Sequence, residues 1–111
     1  MDIKTRKVSD VTIVDLSGKL DINSSLSLKE CLNQALMDKR KKILINLADV
    51  DFINSSGLGI LVSGLKMIRE EDGELRFCNL QKYVRELFEI SQLTKVFAIS
   101  STEDEALESF T

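Results

Sequence analysis

The 111-residue chain contains no histidine, no proline and no tryptophan, and only two cysteines. Without histidine there is no Ser-His-Asp triad, no Cys-His nucleophile pair and no histidine-containing zinc site. Two cysteines cannot build a four-cysteine metal site, so no resident metal or other cofactor is expected. Basic residues are not in excess: 15 lysines and arginines face 18 acids, for a net charge of −3. That balance argues against direct nucleic-acid binding by phosphate neutralisation. Long apolar runs are also missing. The stretch Ile53 to Ile68 is interrupted by Asn54, Ser55, Ser56, Ser63 and Lys66. It is shorter than the roughly 20 residues a membrane span needs. The segment Met1 to Val14 lacks a basic start followed by an apolar core, so no signal peptide is expected. The expected location is cytoplasmic, and the N-x-S sequons at Asn23 and Asn54 carry no glycosylation meaning there.

Cys31 and Cys78 do not form a C-x-x-C motif. Cys31 lies among Leu28, Leu32 and Ala35, and Cys78 follows Phe77. Both read as small core residues in a reducing compartment, with a regulatory disulfide as the alternative.

What is present suits one globular domain over residues 1–111. The chain is 43% hydrophobic and 30% charged. A chain of this length buries roughly two thirds of its unfolded surface. Ile3 to Val8 and Val11 to Leu16 read as two strands joined by a Ser9-Asp10 turn, an antiparallel hairpin. Ser17 to Asn23 reads as a loop. Leu28, Cys31, Leu32, Ala35 and Leu36 then recur at helical spacing, with Asn23 or Ser24 as the cap. The basic run Lys39-Arg40-Lys41-Lys42 falls at the end of that helix. There it would complement the helix dipole, or else offer a patch for an anionic partner.

Ile43 to Leu47 is nearly all apolar, as in a strand buried on both faces of a parallel sheet. A loop over Ala48 to Asn54 leads to a second helical stripe of Leu58, Leu61, Val62, Leu65 and Ile68, with Gly73 in the C-cap role. Leu75 to Cys78 is a further strand. Tyr83, Val84, Leu87 and Phe88 mark a third helix, and Val96 to Ile99 a last strand. Thr102 and Glu105 form a capping-box pattern opening a fourth helix through Ala106, Leu107 and Phe110. The expected fold is α/β: a small open mixed sheet with an N-terminal antiparallel hairpin and later strands parallel, covered by about four helices.

The segment Asp49 to Gly59 follows the most buried strand and opens the central helix. Ligands and partners of open α/β sheets meet the protein beyond the carboxyl ends of the strands. Two readings of Ser55-Ser56-Gly57-Leu58-Gly59 compete. In one, Ser55 merely caps the helix while Gly57 and Gly59 allow close packing. In the other, a serine at an exposed helix N-terminus accepts a phosphate and thereby repels a docked partner. Neither a dinucleotide fingerprint nor a P-loop is complete here, because the third glycine and the Gly-Lys-Ser/Thr ending are absent.

Asn54-Ser55-Ser56-Gly57-Leu58-Gly59 resembles the D-S-S-G-L-G signature of the anti-sigma-factor antagonists, the bacterial STAS domain family. The resemblance continues in Gly18-Lys19-Leu20-Asp21, in Ile43 to Phe52, in Arg85-Glu86-Leu87-Phe88 and in Leu93-x-x-Val96-Phe97. It implies a non-enzymatic regulator with a STAS-like fold. The implied partner is an anti-sigma factor that is also a serine kinase of the histidine-kinase-like ATPase type. Unphosphorylated antagonist would bind this kinase and release the sigma factor. Phosphorylation of Ser55, rather than of Ser56, would dissociate the complex, and a serine phosphatase would reset it. Asp21, Ile22, Asn54, Ser55, Ser56, Gly57, Leu58 and Gly59 are the implied partner contacts, with Ile22 and Leu58 as exposed apolar ones. The free protein is expected to be monomeric. One departure is Asn54, where the family usually has aspartate, and it leaves room for a STAS scaffold that is never phosphorylated. A receiver domain would need an Asp-Asp pair that is missing. A small enzyme would need Asp21, Asp49 and Asp51 to gather around Mg²⁺.

Overall fold

The structure is a computed structural model, and it describes residues 1–110. The chain forms five strands and four helices, which alternate after an opening pair of strands. The strands are β1 (Asp2–Val8), β2 (Val11–Leu20), β3 (Lys42–Ile53), β4 (Glu74–Cys78) and β5 (Ala98–Ser100). The helices are α1 (Ile22–Met37), α2 (Ser55–Glu70), α3 (Lys82–Ile90) and α4 (Glu103–Ser109), with a 3₁₀ turn at Leu93–Lys95. The strands lie side by side in sequence order. β1 pairs antiparallel with β2, and all later pairs are parallel. This is the expected mixed sheet.

Alternation along the strands sorts the core into two layers. Val14, Leu16, Ile43, Ile45, Leu47 and Phe77 point to one face, where they meet Leu28 and Leu32 of α1, Leu61 and Leu65 of α2, and Val84 and Phe88 of α3. Val11, Ile13, Leu44 and Cys78 point to the other face, under Ala106 and Phe110 of the α4 segment. Cys78 is therefore a core residue as expected, whereas Cys31 is half-buried at the edge of the larger core; both are free thiols. Burial pushes both thiols up, Cys78 to about 12.

Several expectations are corrected. β2 continues past Leu16 to Leu20, and β3 continues past Leu47 to Ile53, so the expected loops are largely strand. Two bulges hide this pairing. The partners step from Asp15–Asn46 to Ser17–Asp49 and from Gly18–Val50 to Lys19–Phe52, each step inserting one extra β3 residue. Gly18 sits in this extension with φ +104°, a conformation that side chains resist. The last strand is Ala98–Ser100, because Leu93 to Val96 is taken up by the 3₁₀ turn and its cap.

The helix ends differ as well. Asp21, not Asn23 or Ser24, caps α1, and Ser24 closes the capping box from inside the helix. α1 ends at Met37 with no basic residue in its last turn, so the Lys39–Lys42 run lies beyond the helix it was expected to complement. Asp72, with φ 60°, takes the left-handed position after α2. Gly73 instead donates its N–H to Ile68 at 2.8 Å. It is small for packing reasons: a Cβ there would lie 2.7 Å from the Ile68 side chain and 2.8 Å from the Lys41 carbonyl.

Candidate functional site

The bulged extension of β2 and β3 brings two helix starts together. Leu20 pairs with Ile53 at the end of the sheet. The next residue on each strand, Asp21 and Asn54, caps the following helix. Asp21 Oδ1 accepts from the Asn23 N–H at 2.9 Å, and the Asp21 N–H donates to Ser24 Oγ at 2.9 Å. Asn54 Oδ1 accepts from the Gly57 N–H at 2.9 Å, and the Asn54 N–H reaches the Leu20 carbonyl at 3.4 Å. Asn54, not Ser55, is thus the cap of α2. An aspartate would supply the same acceptor, so Asn54 keeps the geometry and omits only the charge.

Gly57 holds α2 against the end of β2. A Cβ at this position would fall 2.1 Å from the Leu20 carbonyl oxygen and 3.1 Å from the Ile53 side chain. Gly59 has open space around its Cα, so close packing within this chain does not require a glycine there.

With Asn54 as cap, Ser55 is the first residue of α2 and Ser56 the second, and both are exposed. No hydrogen bond engages the Ser55 hydroxyl among the described residues. First-turn N–H groups and the positive end of the helix dipole lie beside it. Ile22 is 69% exposed and Leu26 is 64% exposed on the neighbouring start of α1. Leu58, expected to be exposed, is half-buried against the main core. A groove of about 590 Å³ runs between α1 and α2. Ile22, Ser56 and Gly59, three of the expected contact residues, line it with Leu26, Lys29 and Met67. The sequence reading missed this groove. The small residues Ser56, Gly59 and Ser63 at helical spacing were the available signal.

Asp49 and Asp51 are exposed on β3, and Asp21 is engaged as a cap. No group of three or more His, Cys, Asp or Glu side chains is arranged to hold a metal among the described residues. Among those residues no helix is long and apolar enough to cross a membrane. A separate polar chain crosses the α4 face of the sheet. Arg6 pairs with Asp15 at 2.6 Å and with Glu103, Asn46 donates to Asp15 at 2.9 Å, and Asn79 donates to Asn46 at 3.2 Å.

The sequence matches the STAS domain family model over residues 2–106. The chain belongs to the STAS domain family. It is 33% identical over 98 residues to an anti-sigma F factor antagonist of Paenibacillus polymyxa, covering 87% of this chain and 84% of that one. It is 32% identical over 91 residues to an anti-sigma-B factor antagonist of Bacillus subtilis, covering 82% and 83%. A crystal structure from Thermotoga maritima superposes with a TM-score of 0.90 at 27% identity, covering 96% of this chain and 92% of the other. The anti-sigma factor antagonist SpoIIAA shares the fold in its unphosphorylated form, with a TM-score of 0.74 at 19% identity. It does so in its phosphorylated form as well, at 0.75 and 20%. These two matches cover 98% and 99% of this chain and 97% and 100% of the other. STAS proteins that antagonise anti-sigma factors are regulators rather than enzymes.

Proposed function

We propose that the protein is an anti-sigma-factor antagonist switched by phosphorylation of Ser55. The unphosphorylated form binds an anti-sigma factor that is itself a serine kinase with a histidine-kinase-like ATPase fold, and so frees the sigma factor. Its relatives of about 30% identity carry the antagonist role in their names, which supports this class of partner. The single observation that carries the switch is the exposed, unengaged Ser55 hydroxyl at the first position of α2.

Phosphate at Ser55 adds a charge of about −1.5 to −2. The α2 dipole and its unpaired N–H groups accommodate that charge, so the fold need not change. SpoIIAA structures exist in both phosphorylation states, and this chain superposes on both with nearly equal TM-scores, which fits a switch that leaves the fold alone. A partner pressed against Ser55, Asp21 and the Ile22–Gly59 groove meets both new bulk and new charge. Electrostatic and steric exclusion then releases it. A serine phosphatase restores the hydroxyl. The cycle is placed in the cytoplasm, where sigma factors work.

One observation favours a second reading, a STAS scaffold that is never phosphorylated. Asn54 stands where a carboxylate usually precedes the acceptor serine. The test is to incubate the protein with ATP and each serine-kinase anti-sigma factor of the same genome, then map phosphate by mass spectrometry. Phosphate at Ser55 supports the switch. A stable complex with no phosphate on any serine supports the scaffold.

A further inference from the structure

Five of the fifteen lysines and arginines meet at the opposite end of β3 from Ser55. Lys7, Lys39, Arg40, Lys41 and Lys42 line a concavity of about 330 Å³ together with Ser9, Asp10, Val11 and Thr12. Its walls are two tight turns in which Ser9 and Lys39 adopt left-handed backbone conformations, with φ of 56° and 62°. The cations are therefore carried on and beside two tight turns rather than on a long loop.

Their clustering has no internal explanation. The dipole of α1 acts within the last helical turn, and that turn holds no cation. Asp10 is the one carboxylate among the described lining residues, and it takes Lys42 Nζ at 2.8 Å. Glu74 attracts Lys42 from farther away. Lys7, Lys39, Arg40 and Lys41 make no ion pair among the described residues. Charges of one sign held this close repel one another. The rest of the molecule has the opposite balance, since seventeen of the eighteen acids lie outside the concavity.

We propose that this basic concavity is a second docking site, which takes an acidic segment of a protein partner. Its size suits a few carboxylate side chains rather than a duplex. No aromatic side chain lines it, so it lacks the stacking platform used for single-stranded nucleic acid. Its one large apolar lining residue, Val11, is buried, so it offers nothing to insert into lipid. Because Ser55 lies at the other end of β3, its phosphorylation leaves this site open. A partner held here stays bound in both phosphorylation states.

The test uses a fluorescein-labelled oligo-glutamate peptide, read by anisotropy and by amide shifts of the isotope-labelled protein. Shifts concentrated at residues 7–12 and 39–42 are expected. Affinity should fall about tenfold in the double variant Lys39→Gln, Lys41→Gln, and should weaken with added salt. It should change less than about twofold in Ser55→Asp, which lies beyond the screening distance. An equal loss from Lys66→Gln with Lys95→Gln, exposed cations elsewhere, overturns the site. So does an absence of binding, tighter binding to duplex DNA or to phosphatidylserine vesicles, or concentration-dependent self-association quenched by the same double variant, which would make the occupant a second copy of this chain.

Discussion

The Cα of Gly57 faces the carbonyl of Leu20 so closely that a Cβ there would lie 2.1 Å from its oxygen and 2.9 Å from its carbon. The obstacle is backbone, which cannot swing aside as a flexible side chain would. Gly57→Ala must push α2 away from the end of β2, and the first turn carrying Ser55 moves with it. The expected cost is about 2–4 kcal/mol, measured by urea unfolding. Gly59 has no such neighbour, so Gly59→Ala should stabilise by up to about 1 kcal/mol through helix propensity alone. If both substitutions prove neutral, the seating of α2 on Leu20 is wrong.

Asn54 separates capping from charge. Asn54→Ala removes the acceptor for the Gly57 N–H at 2.9 Å and should cost about 1 kcal/mol. Asn54→Asp keeps the acceptor and adds a negative charge at the positive end of α2, for a gain of about 0.3–1 kcal/mol at neutral pH and low salt. Thermal unfolding of the three proteins orders them Asp, Asn, Ala from most to least stable. An Asp variant as weak as Ala would show that Asn54 does not cap the helix.

The Arg6–Asp15 pair gives a pH dependence with a definite sign. The hydrogen bond from Arg6 holds the Asp15 carboxyl below its ordinary 3.8, with a further contribution from Asn46 and opposition from burial. A carboxyl lowered by folding stabilises the protein above its unfolded value near 3.9, and that stability is lost as pH falls through the lower folded value. Asp15→Asn should therefore cost stability at pH 7, about 1 kcal/mol or less for so exposed a pair. The gap between the two proteins should close below about pH 4. A gap of constant size from pH 7 to pH 3 would mean that the cost comes from packing rather than ionisation.

Element order, sheet topology and the buried periodicity of α1 and α2 are legible in the sequence, because each rests on apolar spacing of at least two turns or on a nearly continuous apolar run. The joined extension of β2 and β3 is not. Asp49, Asp51 and Phe52 are exposed, and the two bulges break the period-two pattern that marks a strand. The missed extension matters most for function, since it sets Asp21 beside Asn54. The helix caps are ambiguous in the sequence by one to three residues for a related reason. Asp21, Asn23 and Ser24 are all good caps, and only the strand end at Leu20 decides among them. The candidate site is legible in the Asn54–Gly59 motif, whereas the exposure of Ile22 and the half-burial of Leu58 depend on the α1–α2 packing.

The two cysteines should behave differently. Cys78 is buried in the layer under α4, and its thiol is pushed up to about 12. A thiol reagent at pH 8 should label Cys31 slowly and Cys78 only on unfolding, because the thiolate is the reactive form. Rapid labelling of Cys78 in the folded protein would contradict the placement of α4.

In the proposed switch, the charge state of Ser55 decides whether the partner binds. The affinity of one serine-kinase anti-sigma factor for wild type, Ser55→Ala and Ser55→Asp tests this most directly, by isothermal titration calorimetry with ADP bound. Ser55→Ala is expected to bind as wild type does and not to be released by ATP. Ser55→Asp is expected to lose at least about a hundredfold in affinity, as for a charge forced into a docked interface, while its unfolding midpoint stays near that of wild type. Equal affinity of the Ser55→Asp and Ser55→Ala proteins would contradict the switch.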